Sequence, residues 1–303
     1  MNSPTINAPS IASSAVLIDL SISCWTGRKL DKRASNDVTA QNNAAKGVAN
    51  VHKKLLGDCA ELDAVQKFAA NARNAHYAMT MPWSDLGLRL CPTKMYIGVS
   101  DRAGYERTMT ELQTEFFRLT EAFLSAYDWE IQNAQLKLGA LFSSDDYPSR
   151  DSLAAKFKFR FTAMPLPDAG DWRLDIGNEA AASMREQYEK FYGEQLTKAM
   201  NDVWERAHEA LTKMSERLDY ADDTTKKVFR DTLVTNVQEI VDLLGSMNIT
   251  DDPAMADAHR RLDAAMQGIT PDALREDAYL RAQTKRQVDD VRKIIDTLPG
   301  LGF

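Results

Sequence analysis

Between Asn178 and about Tyr220 a largely apolar set of residues returns at intervals of three or four: Met184, Tyr188, Phe191, Gln195, Ala199, Val203, Ala207, Ala210, Met214 and Leu218. That spacing predicts one stripe of a single helix. At 1.5 Å per residue the helix would run about 60 Å, more than a compact domain of this size needs. The stripe must be covered by later helices of the chain or by another subunit. The longest later helix expected, over about Asp272–Leu298, is shorter than the stripe, which favours self-association or a protein partner. Glu186 with Lys190, Glu194 with Lys198, and Glu209 with Lys213 are favourably ordered i,i+4 pairs. Gly193 is the weak point of this helix, at about 1 kcal/mol relative to Ala.

Near the other end the period becomes two. Val16, Ile18, Leu20 and Ile22 alternate with Leu17, Asp19, Ser21 and Ser23, predicting a strand over Ala15–Trp25. Residues 1–14, rich in Ser, Pro, Asn and Ala, read as a loose tail. Ser35 or Asn36 can cap a helix reaching Leu56 and Gly57, and Leu62, Val65, Phe68, Ala72, His76 and Met79 give a second helical stripe ended by Pro82. Leu86–Val99 is β-like, broken by Gly87, Pro92 and Gly98. A third long helix is expected over about Asp101–Leu141, carrying Tyr105, Met109, Leu112, Phe116, Leu119, Phe123 and Ala126. Asp145–Ser152 reads as a loop.

Lys156–Phe161 alternates strictly, with Phe157, Phe159 and Phe161 on one face and Lys156, Lys158 and Arg160 on the other. Pro165 and Pro167 stop that strand, and Trp172–Ile176 can return as its partner. Beyond Gly177 everything reads as helix. Asp223 or Thr224 opens one helix closed by Gly245, Asp252-Pro253 opens a second ending at Gly268, and Thr270-Pro271 opens a third that runs to before Pro299. The fold class expected is α+β and mostly α-helical. A tail (1–14) precedes an α+β domain (15–177) with a small antiparallel sheet packed on helices, and a long, coiled-coil-like helical domain (178–303) follows.

Charge changes the picture in one respect. Residues 1–177 carry 20 Lys and Arg against 20 Asp and Glu, whereas residues 178–303 carry 17 against 24, so the helical half repels a phosphate backbone. Cys24, Cys59 and Cys91 are odd in number and far apart, as expected of reduced thiols in a cytoplasmic protein. Ala15–Ile22 is interrupted by Asp19 and has no basic flank, so it fails as a signal peptide, and no run approaches the roughly 20 apolar residues of a membrane span.

His52, His76, His208 and His259 have no Cys or second His at ligand spacing, and no Gly-rich phosphate loop occurs, so no metal and no cofactor is expected from local motifs, while a metal site assembled from residues distant in the sequence stays open. The carboxylate pairs Asp145-Asp146, Asp222-Asp223 and Asp251-Asp252 sit at loop or helix-start positions, where capping explains them. Two basic clusters remain. Trp25-Thr26-Gly27 closes the first strand and is followed by Arg28, Lys29, Lys32 and Arg33, a compact patch that can grip an anion or an acidic partner surface. Lys156, Lys158 and Arg160 lie beside aromatic residues, as in single-strand nucleic-acid binders. Because the phenylalanines and the cations occupy opposite faces, a stacked base would not meet both, and the ordinary half-buried strand is preferred.

Three stretches together resemble an uncharacterised family encoded by bacteriophages and some bacteria: Ile22–Lys29, Met81-Pro82-Trp83-Ser84-Asp85 with Leu88-Arg89-Leu90, and Phe159–Ile176 with Pro165, Pro167 and Trp172-Arg173. Members are often encoded near MoxR-like AAA+ ATPases and von Willebrand factor A proteins, and the family has no established catalytic residues. The expectation is therefore a non-catalytic phage assembly or adaptor protein in the host cytoplasm. It would act through helix-mediated self-association or partner binding, with a MoxR-like AAA+ ATPase as one such partner. The alternative is a single-stranded nucleic-acid-binding protein.

Overall fold

The computed structural model describes residues 14–98, 103–166, 179–220, 230–298 and 301, side chains at 179–185 and 188 excepted. The fold is mostly α with a small antiparallel sheet packed among helices. Strand β1 (Ala15–Ser23) forms where the alternation predicts it, but Leu17 and Ile18 are both buried, so its first half is covered on both faces. In the four-stranded sheet the order is β4 (Met81–Pro82), β5 (Arg89–Pro92), β1, β6 (Lys158–Pro165). β5 pairs antiparallel with β1, Ala15 opposite Pro92 and Ile18 opposite Arg89, and with β4. Trp172–Ile176, the expected partner of β6, lies outside the described residues, as do Asn178 and Asp223-Thr224.

Contacts group the chain into two units that do not follow the division expected at residue 177. One holds Met1–Asp19, Met79–Tyr105 and Thr162–Phe303; the other holds Leu20–Ala78 and Glu106–Phe161. In the first unit β4, β5 and the short helix α3 (Thr93–Ile97) belong with five helices: α6 (Glu179–Leu218), α7 (Thr232–Met247), α8 (Pro253–Met266), α9 (Pro271–Glu276) and α10 (Ala278–Asp296). The second unit contains strands β2 (Arg28–Leu30) and β3 (His52–Lys54). Its helices are α1 (Lys32–Gln41), α2 (Ala60–Ala78), α4 (Tyr105–Leu138, whose first residue falls in the other unit) and α5 (Arg150–Ala154).

The long helix α6 finds its cover inside its own unit. Leu196, Ala199, Val203, Ala207, Leu211, Met214 and Leu218 are buried, and α7, α10 and β4 pack against the helix. From Leu196 to Leu218 the stripe is therefore shared by several elements, and no one later helix covers it alone. Its first visible turn is also rotated: Phe191 is 47 % exposed, while its neighbour Tyr192 is buried edge-on to Trp83 at 5.2 Å. Gly193 faces open space, with nothing within 4 Å of a built Cβ. Gly193→Ala should thus remove a helix penalty without a clash, stabilising by about 1 kcal/mol and raising the thermal midpoint roughly 2–4 °C. A lowered midpoint in a thermal melt would contradict this.

Two predicted helix starts form as expected. The Asp252 carboxylate accepts from Ala254 N at 2.9 Å and the Thr270 hydroxyl from Ala273 N at 3.2 Å, each with proline in the first turn. The last helix does not run unbroken, because Asp277 accepts from Tyr279 N and Leu280 N and starts α10 afresh. Arg281, 5 % exposed, closes the preceding helix by donating to Leu274 O at 3.1 Å. Gly245 does not close α7. It lies within that helix where His259 of α8 approaches, its built Cβ 2.8 Å from the imidazole.

In the second unit the helix expected from Ser35 to Leu56 is instead a helix, a loop and a strand. Asp31 caps α1 by accepting from Ala34 N at 2.9 Å. At the other end Asn42 Nδ2 donates to Val38 O at 2.8 Å and Asn43 adopts φ 48°, which stops the helix well before Gly57. Phe123 and Phe116 of α4 meet Phe157 and Phe159 at 5.6 and 5.5 Å between ring centroids.

Candidate functional site

The short strands β2 and β3 pair as an antiparallel ribbon with Arg28 opposite Lys54, Lys29 opposite Lys53 and Leu30 opposite His52. Backbone and side chain fix its base: Leu55 N donates to Gly27 O at 2.7 Å, Asp31 N to Val51 O at 2.9 Å, and Val51 N to Ser35 Oγ at 2.9 Å. Gly27 makes the turn possible, with φ 64° and a built Cβ only 2.7 Å from Leu62 Cδ2. Below it Trp25 is buried, stacked on Phe123 at 6.2 Å and edge-on to Tyr127 at 6.0 Å. Trp25 thus supports the ribbon from the core and is not a contact residue.

Like charges directly opposite on a strand pair repel at about 5 Å between Cβ atoms, and this ribbon has two such pairs. Its two faces resolve the repulsion differently. On one face Lys29 Nζ and Lys53 Nζ each lie 2.6 Å from the two oxygens of Asp146, and Asp31 adds a carboxylate 3.7 Å from Lys53. Tyr147 places Asp146 there by donating its hydroxyl to Leu55 O at 2.6 Å. The ammonium groups of Lys29 and Lys53 hold the Asp146 carboxyl below the usual carboxylate range, and the Ala34 amide does the same for Asp31.

The other face has no such neutralisation. Alternation puts Arg28 and Leu30 of β2 beside Lys54 and His52 of β3, and all four are exposed. Lys54 meets only Asp58 at 3.4 Å, a carboxylate 93 % exposed and so worth little, and Arg28 makes no ion pair among the described residues. A cavity of about 60 Å³ opens beside them, lined by Arg28, Lys54, Gly27, Gly57, Asp63 and Gln66 among others. Lys32 and Arg33, at the start of α1, are also exposed and likewise make no ion pair among the described residues.

Of the predicted patch, then, Arg28, Lys32 and Arg33 stay available, Lys29 is engaged by Asp146, and Trp25 is core. No known protein family, curated protein or solved structure matches the chain. The sequence reading missed Lys54 and Asp146. A three-residue strand has no period to detect, and Asp146 comes from 117 residues away.

The second basic cluster has the split faces that its alternation predicts. Phe157 and Phe159 are buried, while Lys156, Lys158 and Arg160 are exposed, so the strand offers cations without an aromatic platform. No histidine joins a group of metal-ligating side chains among the described residues. His76 is buried in α2, and His208 lies 3.0 Å from Asp296. No helix among the described residues is long and apolar enough to cross a membrane.

Proposed function

We propose that this chain is a non-catalytic binding protein that docks an acidic protein surface on the Arg28–Lys54 face of its ribbon. The observation that carries the reading is the asymmetry of the two faces: Lys29 and Lys53 are neutralised from within, whereas the opposite Arg28 and Lys54 are left to solvent. A partner carboxylate between those two cations would relieve their repulsion and gain charge-assisted hydrogen bonds. Leu30, 39 % exposed on the same face, supplies apolar contact beside them. The chain's acid excess favours this orientation of partners, because the unit with the ribbon carries 16 Lys and Arg against 14 Asp and Glu and all the negative balance lies in the other unit. The resemblance noted above makes a phage adaptor role the natural setting and a MoxR-like AAA+ ATPase the first protein to test.

The second reading, single-stranded nucleic-acid binding, draws on the exposed Lys156, Lys158 and Arg160. One anisotropy experiment separates the two with a labelled oligoglutamate peptide and a labelled single-stranded oligonucleotide. The docking reading expects peptide binding that weakens with salt and falls at least tenfold in Arg28→Glu/Lys54→Glu, with the thermal midpoint little changed. Peptide binding that is equal in wild type and variant would sink it. Tighter oligonucleotide binding that is lost on replacing Lys156, Lys158 and Arg160 with Ala would install the second reading.

A further inference from the structure

Cys59 immediately precedes α2, Glu61 lies in the first turn of that helix, and Glu130 comes from α4. The Cys59 sulfur and one carboxylate oxygen from each glutamate lie within 4.8 Å of one another. Cys59 Sγ is 3.7 Å from Glu61 Oε2. Cys59 and Glu130 are 3 % and 4 % exposed, and Glu130 Oε2 is buried with no hydrogen-bond partner. A buried thiol and a buried carboxyl held beside a half-buried carboxyl form a costly arrangement unless protons or a cation neutralise them.

We propose that Cys59, Glu61 and Glu130 form a binding site for Zn2+. A thiolate with two carboxylates is a donor set for an ion of intermediate softness, whereas Mg2+ and Ca2+ take oxygen ligands alone. With Zn–S of about 2.3 Å and Zn–O of about 2.0–2.2 Å at a tetrahedral angle, sulfur and oxygen ligands stand about 3.5 Å apart. The Cys59–Glu61 separation of 3.7 Å already has that value to within the tolerance of such sites. The charges also balance: a thiolate and two carboxylates meet Zn2+ and the Lys137 ammonium, which acts on Glu130 and is anchored to Asp58 O at 3.2 Å. Cys59 also lines the cavity of about 60 Å³ beside the ribbon. The site rests on no part of the docking proposal.

The test uses the full chain, freed of metal and titrated with Co2+ as a spectroscopic probe and then with Zn2+. The expected result is one Co2+ per chain with a thiolate-to-cobalt charge-transfer band, displaced by Zn2+. Cys59→Ser should abolish the band, Glu130→Gln should weaken Zn2+ binding at least tenfold with an unchanged circular dichroism spectrum, and Cys24→Ser should alter neither. Absence of the band at stoichiometric Co2+, its survival in Cys59→Ser, or wild-type affinity in Glu130→Gln would each overturn the site. Should a variant fail to fold, alkylation of the wild-type thiols followed by mass spectrometry decides: Zn2+ is expected to slow labelling of Cys59 at least tenfold, and an unchanged rate overturns the proposal.

Discussion

Gly104→Ala is expected to destabilise the protein by about 3 kcal/mol and to lower its thermal midpoint by roughly 6–12 °C. Gly104 is buried against the end of α3, where a built Cβ would lie 2.4 Å from Tyr96 O, Ile97 C and Gly98 N. Those are backbone atoms, so no side-chain rotation can relieve the clash. The α3 terminus is itself held by Gly98 N donating to Lys94 O at 3.0 Å. Gly104 must also deliver the next residue, Tyr105, which is fully buried and stacked on Tyr96 at 6.1 Å between centroids. Any backbone shift that makes room for a methyl group therefore displaces a core aromatic residue. A melt within about 2 °C of wild type would show that this close approach is not needed.

Asp146→Ala is expected to cost about 2 kcal/mol, less than the removal of one partner from a fully buried ion pair. The discount has two sources: the Lys29 side chain is 49 % exposed, and Lys53 keeps the Leu141 carbonyl at 2.6 Å and Asp31 at 3.7 Å. What is lost is the nearest counter-ion of the Lys53 ammonium, whose side chain is only 10 % exposed and faces Lys29 across the strand pair. The pH dependence has a definite sign. A carboxyl whose folded value lies below its unfolded value, near 4, adds stability above that unfolded value and loses it as pH falls through the folded one. Wild type should therefore lose stability steeply below about pH 4, and Asp146→Ala should lose less over the same range. Equal acid unfolding curves for the two proteins would count against Asp146 as the counter-ion of the ribbon.

The difference between these two sites and the elements around them is one of distance along the chain. Strands β1 and β6, helices α2, α4 and α6, and the Asp252-Pro253 and Thr270-Pro271 starts were legible in the sequence, because side-chain periodicity and capping are properties of a few neighbouring residues. Ambiguity began where local signals competed. Ser35 looks like a helix cap, but the Asp31 carboxylate takes that place and Ser35 Oγ accepts from Val51 N instead. Asp277 restarts a helix inside what reads as one continuous pattern.

The sequence by itself determined the class of the fold, the segregation of cations and aromatics on the two faces of β6, and the presence of a basic cluster after Gly27. Only the tertiary structure decided what that cluster is. Pairing of two three-residue strands set Arg28 beside Lys54 and Lys29 beside Lys53, and Asp146, 117 residues from Lys29, neutralised one face alone. It likewise decided that the stripe of α6 from Leu196 to Leu218 is covered by α7, α10 and β4, and that Cys59 and Glu61 meet Glu130. None of these juxtapositions leaves a local pattern, since each depends on packing that brings together residues far apart in the chain, and only burial gives their charges a cost large enough to matter.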